Sequence, residues 1–199
     1  MSSRGAEPRV VLVRHTETEW TISHRHTGRT DIALTARGRD AALALGTTLA
    51  AHDFGLVLVS PSRRARETCE LAGLGARAVQ DENLLEWDYG DYEGLTTAEI
   101  EAQSPGWSQW RDGCPGGEQP AGVGARADRA IAAALASPGE VVIFSHGHLL
   151  RVLGARWAGL GAEHGARLGL SPGAISLLGH EHGNRIITRW NQLSGDPLA

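Results

Sequence analysis

Arg14 and His15 close an apolar run formed by Val11, Leu12 and Val13. A buried strand gains nothing structural from ending on two groups that can carry positive charge, so the pair calls for a chemical reason. Two further apolar runs end in the same way. Residues 56–59 lead into Ser60, Arg63, Arg64 and Arg66, and residues 141–144 lead into the tetrapeptide SHGH at 145–148.

Arginine and histidine together suit a phosphoryl group. Guanidinium keeps its charge and matches phosphate oxygens two at a time. A neutral imidazole offers a lone pair near neutral pH and can act as a nucleophile. Phosphoryl transfer asks mainly for positioning and charge neutralisation. Arg and His do not supply an acid for the departing oxygen. Glu86, in NLLEWDYGDYEG, is the candidate, set among Leu84, Leu85, Trp87 and Tyr89. Its plainer alternative is a carboxylate that caps a turn or a helix.

Three elements must bring these groups together. The β-branched runs at 9–13, 56–59 and 141–144 read as strands, with a short one at 77–79. Thr35 can cap a helix whose stripe includes Ala42, Leu45 and Leu49. Further helices are expected after Pro61, ending near Gly73, and at 98–103, 126–136 and 149–157. Residues 174–178 and 185–190 flank GHEHGN and read as a hairpin. Alternating strands and helices imply an α/β three-layer sandwich with a mostly parallel central sheet and an antiparallel C-terminal hairpin. In such sheets functional groups gather beyond the carboxyl ends of the strands. Three strand ends then deliver Arg, His, Arg and His to one edge.

Five motifs in this order, LVRHTETEW, GRTDIALTARG, SPSRRARET, LLEWDYGDYEG and FSHGHLLR, resemble the histidine phosphatase superfamily, also called phosphoglycerate mutase-like. The match runs from the first strand to the helix after His148. The resemblance implies that His15 is the nucleophile that becomes phosphohistidine. Arg14, Arg64 and His146 would form the phosphate pocket, Arg64 being chosen because the family places its Arg directly before Ala, here Ala65. Glu86 takes the proton-donor position. Thr27, Gly28, Tyr89, Gly147 and Arg151 are the further substrate contacts implied, with packing the alternative for Tyr89 and a second phosphate the reason for Arg151. Thr16 stands where the family usually has Gly, and Thr21 where it often has Asn, which puts a phosphate contact at Thr21 in question. EWDYGDYEG and WRDGCPGGE resemble the sedoheptulose-1,7-bisphosphatase branch and its small bacterial acid-phosphatase relatives.

The resemblance implies a phosphomonoesterase that needs neither metal nor cofactor and acts on small phosphorylated metabolites, sugar phosphates first. A 2,3-bisphosphoglycerate-dependent mutase is the alternative. It is disfavoured because the family's mutases carry a long insertion between the acid and the second His, and the interval from Glu86 to His146 is short. Two readings from other classes fit the residues less well. A metallohydrolase would use the His-x-His pairs His24/His26, His146/His148 and His180/His182, but the arginines would compete with a divalent cation and no Asp-rich set accompanies the pairs. A phosphate-binding protein without turnover would not need all five catalytic positions filled. His24 and His26 read as surface loop, with the edge of the pocket as the alternative, His180 and His182 as exposed, and Arg63 and Arg66 as solvated or structural.

The chain has 199 residues, enough for one domain spanning 1–199, with 1–8 as a flexible N-terminus and the Gly- and Pro-rich stretch 104–122 as a lid-like excursion. Net charge is −4, which disfavours nucleic-acid and anionic-membrane partners. All 19 basic residues are Arg, so an Arg is informative only by its position. Cys69 and Cys114 form no framework, the N-terminus has no apolar centre, and no run is long enough for a membrane span. A cytoplasmic enzyme is expected, with a homodimer left open as its assembly.

Overall fold

A computed structural model describes residues 8–193. Its strands are β1 (Val10–Arg14), β2 (Phe54–Val59), β3 (Ala78–Gln80), β4 (Glu140–Ser145), β5 (Ile175–Glu181) and β6 (Asn184–Gln192). They form one sheet in the order β3-β2-β4-β1-β5-β6. β1 to β4 run parallel, while β5 pairs antiparallel with β1 and β6 antiparallel with β5. The α-helices are α1 (Glu19–Ile22), α2 (Ala36–Leu49), α3 (Arg63–Leu71), α4 (Thr97–Gln103), α5 (Gln109–Asp112), α6 (Pro120–Leu135) and α7 (Gly147–Trp157).

The continuous apolar runs follow from burial on both faces of the sheet. Val10 and Leu12 pack into one core with residues of α6 and α7, such as Ala127 and Leu153. Val11 and Val13 pack into the other with Leu45 of α2 and Cys69 of α3. The expected three layers therefore form, with helices on each side of a mostly parallel sheet.

Element boundaries differ from the sequence reading for local reasons. The helix expected from 126 starts at Pro120, because proline's fixed φ and missing N–H suit a first helical turn. The second strand starts at Phe54 and carries a register shift between Phe54 and Leu56. Thr35 caps α2 as expected, its Oγ1 accepting the Gly38 N–H at 2.9 Å. The hairpin closes through His182 and Gly183, both at positive φ, a pairing that suits a tight two-residue turn. His182 is exposed, but His180 is not: it is half-buried, its ring 5.2 Å from that of Trp157. The expected flexibility of 1–8 falls on residues that, except for Pro8, lie outside the described ones.

The parallel register aligns the carboxyl ends of three strands. Phe144 of β4 faces Val59 of β2 on one side and Val13 of β1 on the other. One residue on, Arg14 faces Ser145, and Ser60 N–H donates to Phe144 O at 2.9 Å. His15 N–H then donates to Ser145 O at 2.9 Å. Arg14, His15, Ser60 and Ser145 thus leave the sheet at one level.

Candidate active site

His15 emerges from β1 almost fully buried. Its Nδ1 lies 2.8 Å from the carbonyl oxygen of Thr16. A carbonyl only accepts, so Nδ1 carries the proton and Nε2 keeps its lone pair. Burial, reinforced by Arg64 and then Arg14, holds the imidazole pKa well below its ordinary value. The ring is therefore neutral and its Nε2 nucleophilic at neutral pH.

Arg64 sits in the first turn of α3 with no exposed surface. Its Nη1 donates to Thr30 O at 3.0 Å, and its Nη2 to Thr27 O at 2.9 Å and Gly28 O at 3.0 Å. The Glu93 carboxylate fixes that loop by accepting the Gly28 and Thr30 N–H groups at 3.0 Å. Arg14 Nη1 donates to Leu170 O. His146, also fully buried, has Nε2 2.7 Å from Ser60 Oγ and 3.1 Å from Ser62 Oγ. Each hydroxyl can donate to Nε2 or accept from it. The His15 and His146 rings lie 5.3 Å apart.

Three groups here are buried without a hydrogen-bond partner: Arg14 Nε, Arg64 Nε and His146 Nδ1. Each such group costs about 1–3 kcal/mol when unsatisfied. Burial pushes the pKa of both guanidiniums down, and Glu86 acts against that push. Orphaned cationic donors beside a neutral imidazole make a natural seat for an anion.

Glu86 is buried to a similar degree as His15. Its Oε1 accepts the Trp87 N–H at 2.9 Å and the Leu149 N–H at 2.8 Å, and its Oε2 accepts the His148 N–H at 3.0 Å. The capping role set against catalysis in the sequence is therefore present. The carboxylate caps the first turn of α7, whose opening N–H groups have no partner within the helix. Oε2, with one donor, keeps a further lone pair for a proton. Arg126 secures the segment, donating to the carbonyls of Asn83 and Leu85 and pairing with Glu118 at 2.7 Å.

The excursion at 104–122 is strapped onto this segment. Asp91 N–H donates to Pro115 O, and Glu118 N–H to Asp88 O, each at 2.9 Å. Gly90 lies so close beneath it that a Cβ there would meet Pro115 O at 2.2 Å. From this excursion Trp107, Ser108, Gln109 and Trp110 line a cavity of about 460 Å³.

Arg14, His15, Thr27, Glu86, Tyr89, Gly147 and Arg151 all line that cavity. Arg64 and His146 are fully buried and are not part of its wall. Gly28 is also absent from the wall: it is buried, and its carbonyl holds Arg64. Gly147 lets the chain pass Arg14, since a Cβ would stand 3.1 Å from the guanidinium carbon. Arg151 donates to Gly165 O at 3.0 Å and lies 4.4 Å above the Trp110 ring. The Arg63 side chain is exposed, its Nε 3.9 Å from the Glu67 carboxylate, and Arg66 Nε donates to Pro61 O at 3.0 Å.

The sequence reading of His26 as surface loop is corrected. The ring is buried and forms cavity wall, and exposed His24 borders the cavity too. His148 was not singled out as a contact, yet it lines the cavity with its Nδ1 2.6 Å from the Tyr89 hydroxyl. Its spacing from Glu86 in sequence carried no signal; position two in a helix whose N-terminus carries the site was the available clue. Thr21 lines the cavity, but its hydroxyl is engaged with Thr18, accepting from N at 2.9 Å and donating to O at 2.8 Å. Thr16 turns toward α3, its N–H donating to Thr68 Oγ1 at 3.3 Å. Among the described residues no three His, Cys, Asp or Glu side chains cluster as metal ligands. No helix of the described residues is long and apolar enough to cross a membrane.

Comparison with known proteins agrees with this geometry. The family model described as histidine phosphatase superfamily (branch 1) matches residues 10–193. An acid phosphatase of Mycobacterium tuberculosis is 43% identical over 181 residues, covering 89% of each chain. A sedoheptulose 1,7-bisphosphatase of Saccharomyces cerevisiae is 35% identical over 189 residues, covering 78% of this chain and 69% of its own. The solved structure of an open reading frame product from Mycobacterium tuberculosis superimposes with a TM-score of 0.89 at 40% identity, covering 94% of this chain and 98% of that one. A strand-end Arg-His pair, a buried Arg, a second His and a carboxylate on one sheet edge, with a family match along nearly the whole described chain, place this protein in the histidine phosphatase superfamily, branch 1.

Proposed function

We propose that this chain is a phosphomonoesterase that hydrolyses small phosphorylated metabolites, sugar phosphates first and a sugar bisphosphate among them, through a phosphohistidine on His15. The observation that carries this reading is the set of unpartnered buried groups, the guanidinium donors Arg14 Nε and Arg64 Nε together with His146 Nδ1, beside the neutral His15. The names of the acid phosphatase and bisphosphatase relatives agree with it.

The cycle has two steps. The substrate phosphate settles among Arg14, Arg64 and His146, which neutralise its oxygens. His15 Nε2 attacks phosphorus in line, the bond to the ester oxygen breaks, and Glu86 passes its proton to that oxygen. An alcohol leaves. Glu86, now ionised, takes a proton from water as the water oxygen attacks phosphorus. The N–P bond breaks, inorganic phosphate is released, and His15 and Glu86 return to their starting states. Arg151, which lines the same cavity, takes the second phosphate of a bisphosphate in this reading. Both cysteines are free and buried, which suits the cytoplasm.

A turnover screen tests the reading: phosphorylated metabolites, including 3-phosphoglycerate with and without its bisphosphate, with inorganic phosphate as readout. Phosphate release that survives dialysis against a chelator is expected. Loss of activity with chelator and its return with zinc or manganese would favour a metallohydrolase.

A further inference from the structure

The wall of the same cavity holds two imidazoles with fixed and opposite hydrogen-bonding characters. His26 Nδ1 lies 2.9 Å from Leu95 O. The carbonyl accepts, so Nδ1 carries the proton and Nε2 is left as an acceptor. His148 Nδ1 lies 2.6 Å from the Tyr89 hydroxyl. Tyr89 is almost wholly buried, and among the described residues this ring nitrogen is the acceptor within reach of its proton. Nδ1 therefore accepts, and the proton of the neutral ring sits on Nε2, which becomes a donor. Burial lowers the pKa of both rings, so neither character is erased by protonation near neutral pH.

The rings stack nearly parallel, 15° apart in tilt, with centroids separated by 6.0 Å. Trp107 meets His26 edge-on at 6.0 Å and Trp110 meets His148 edge-on at 5.3 Å, so neither ring turns freely. Hydrogen bonds leave an imidazole in its own plane, so these neighbouring rings offer one acceptor and one donor from the wall of the cavity. Hydroxyls, which donate and accept at once, satisfy both rings. A phosphate or carboxylate oxygen leaves His26 unsatisfied, an ammonium leaves His148 unsatisfied, and a methylene leaves both.

We propose that His26 and His148 form an acceptor–donor pair that reads a hydroxyl on the leaving group, so that the preferred substrates are phosphate esters of polyhydroxylated chains. Tyr89 sets the donor end of the pair and Leu95 O the acceptor end. The inference rests on the phosphatase reading and narrows it: the phosphate seat is common to all esters, and this pair selects among their alcohols. Sites built to hydrogen-bond a hydroxyl discriminate strongly against the analogue that lacks it, because their own polar groups are then left unpaired.

The test compares hexyl phosphate, sorbitol 6-phosphate and p-nitrophenyl phosphate with the wild-type chain and with His26→Phe, His148→Phe and the milder His148→Gln. Wild type is expected to favour sorbitol 6-phosphate over hexyl phosphate by about tenfold or more in kcat/KM. Each Phe variant should lose most of that preference, chiefly through KM for the sorbitol ester, and lose several-fold less on p-nitrophenyl phosphate. His148→Gln, whose side-chain amide can still donate, should recover part of the preference. A wild type that hydrolyses p-nitrophenyl phosphate without preferring the sorbitol ester overturns this pair and leaves the phosphatase reading standing. Equal losses on all three esters in folded variants also overturn it, since they mark a structural role. Should no ester be hydrolysed, calorimetric binding decides: tighter binding of the sorbitol ester, lost in the Phe variants, supports the pair while the phosphatase reading fails.

Discussion

The backbone N–H of Leu149 donates to Glu86 Oε1 at 2.8 Å, so the proposed proton donor is tied to the first turn of the helix that follows His146. One carboxylate thus holds α7 in place and, in the proposed cycle, serves the leaving group. Glu86→Gln separates them. An amide nitrogen cannot accept from all three N–H groups, so stability should fall by about 1–2 kcal/mol in urea denaturation. Turnover of an alkyl phosphate should fall by about 10² or more, and of p-nitrophenyl phosphate far less, because a phenolate leaves without a proton. Equal losses on both esters would mark Glu86 as a cap alone and turn attention to Asp88.

Covalent catalysis at His15 has a direct signature. Rapid quench with labelled substrate should trap phosphate that is stable in base and labile in acid. His15→Ala should abolish the trapped label and lower kcat by about 10³ or more. Label that persists in this variant places the nucleophile elsewhere.

Burial fixes the sign of the pH dependence. His15, His146 and His148 all have pKa values held well below the ordinary imidazole value, first by desolvation and then by neighbouring cations, chiefly Arg64 for His15 and His146 and Arg151 for His148. The unfolded chain takes up their protons near pH ~6.5 while the folded chain resists. The stability they contribute is therefore complete above about pH 6.5 and is lost as pH falls toward their folded values. Urea denaturation at pH 7.5, 6.5 and 5.5 should show falling stability, by up to about 1.4 kcal/mol per pH unit for each histidine. His148→Leu should flatten that slope; an unchanged slope would remove His148 from the account. By the same displacement, the acid limb of kcat/KM that reports His15 should lie below pH 6.5.

Hydrolysis should dominate over mutase transfer. Proteins named phosphoglycerate mutase also resemble this chain, so the distinction needs a measurement. The cover here is α5 and its flanks, strapped onto residues 88–91, with few groups to retain a bisphosphate while it turns over in the site. With 3-phosphoglycerate and catalytic 2,3-bisphosphoglycerate, little 2-phosphoglycerate should form, while free phosphate appears from at least some sugar phosphates. Isomerisation that outran phosphate release by about 100-fold, or about 2.7 kcal/mol in barrier, would reverse the assignment.

The strand runs ending at Arg14 and Ser145, the Thr35 cap and the C-terminal hairpin were legible in the chain itself, because apolar periodicity and turn chemistry are local properties. So was the gathering of Arg14, His15, Arg64 and His146, since the end of a parallel strand has one place to go. Tertiary structure alone decided the rest. The Arg64 guanidinium is held by three carbonyls 34 to 37 residues away in the chain. His26 looked like surface loop because nothing local signals burial under Tyr89 and Trp107, which arrive from distant segments. The opposite characters of His26 and His148 are set by Leu95 O and the Tyr89 hydroxyl. A histidine's tautomer is chosen by the partner across the space, and one-dimensional spacing holds no record of that partner.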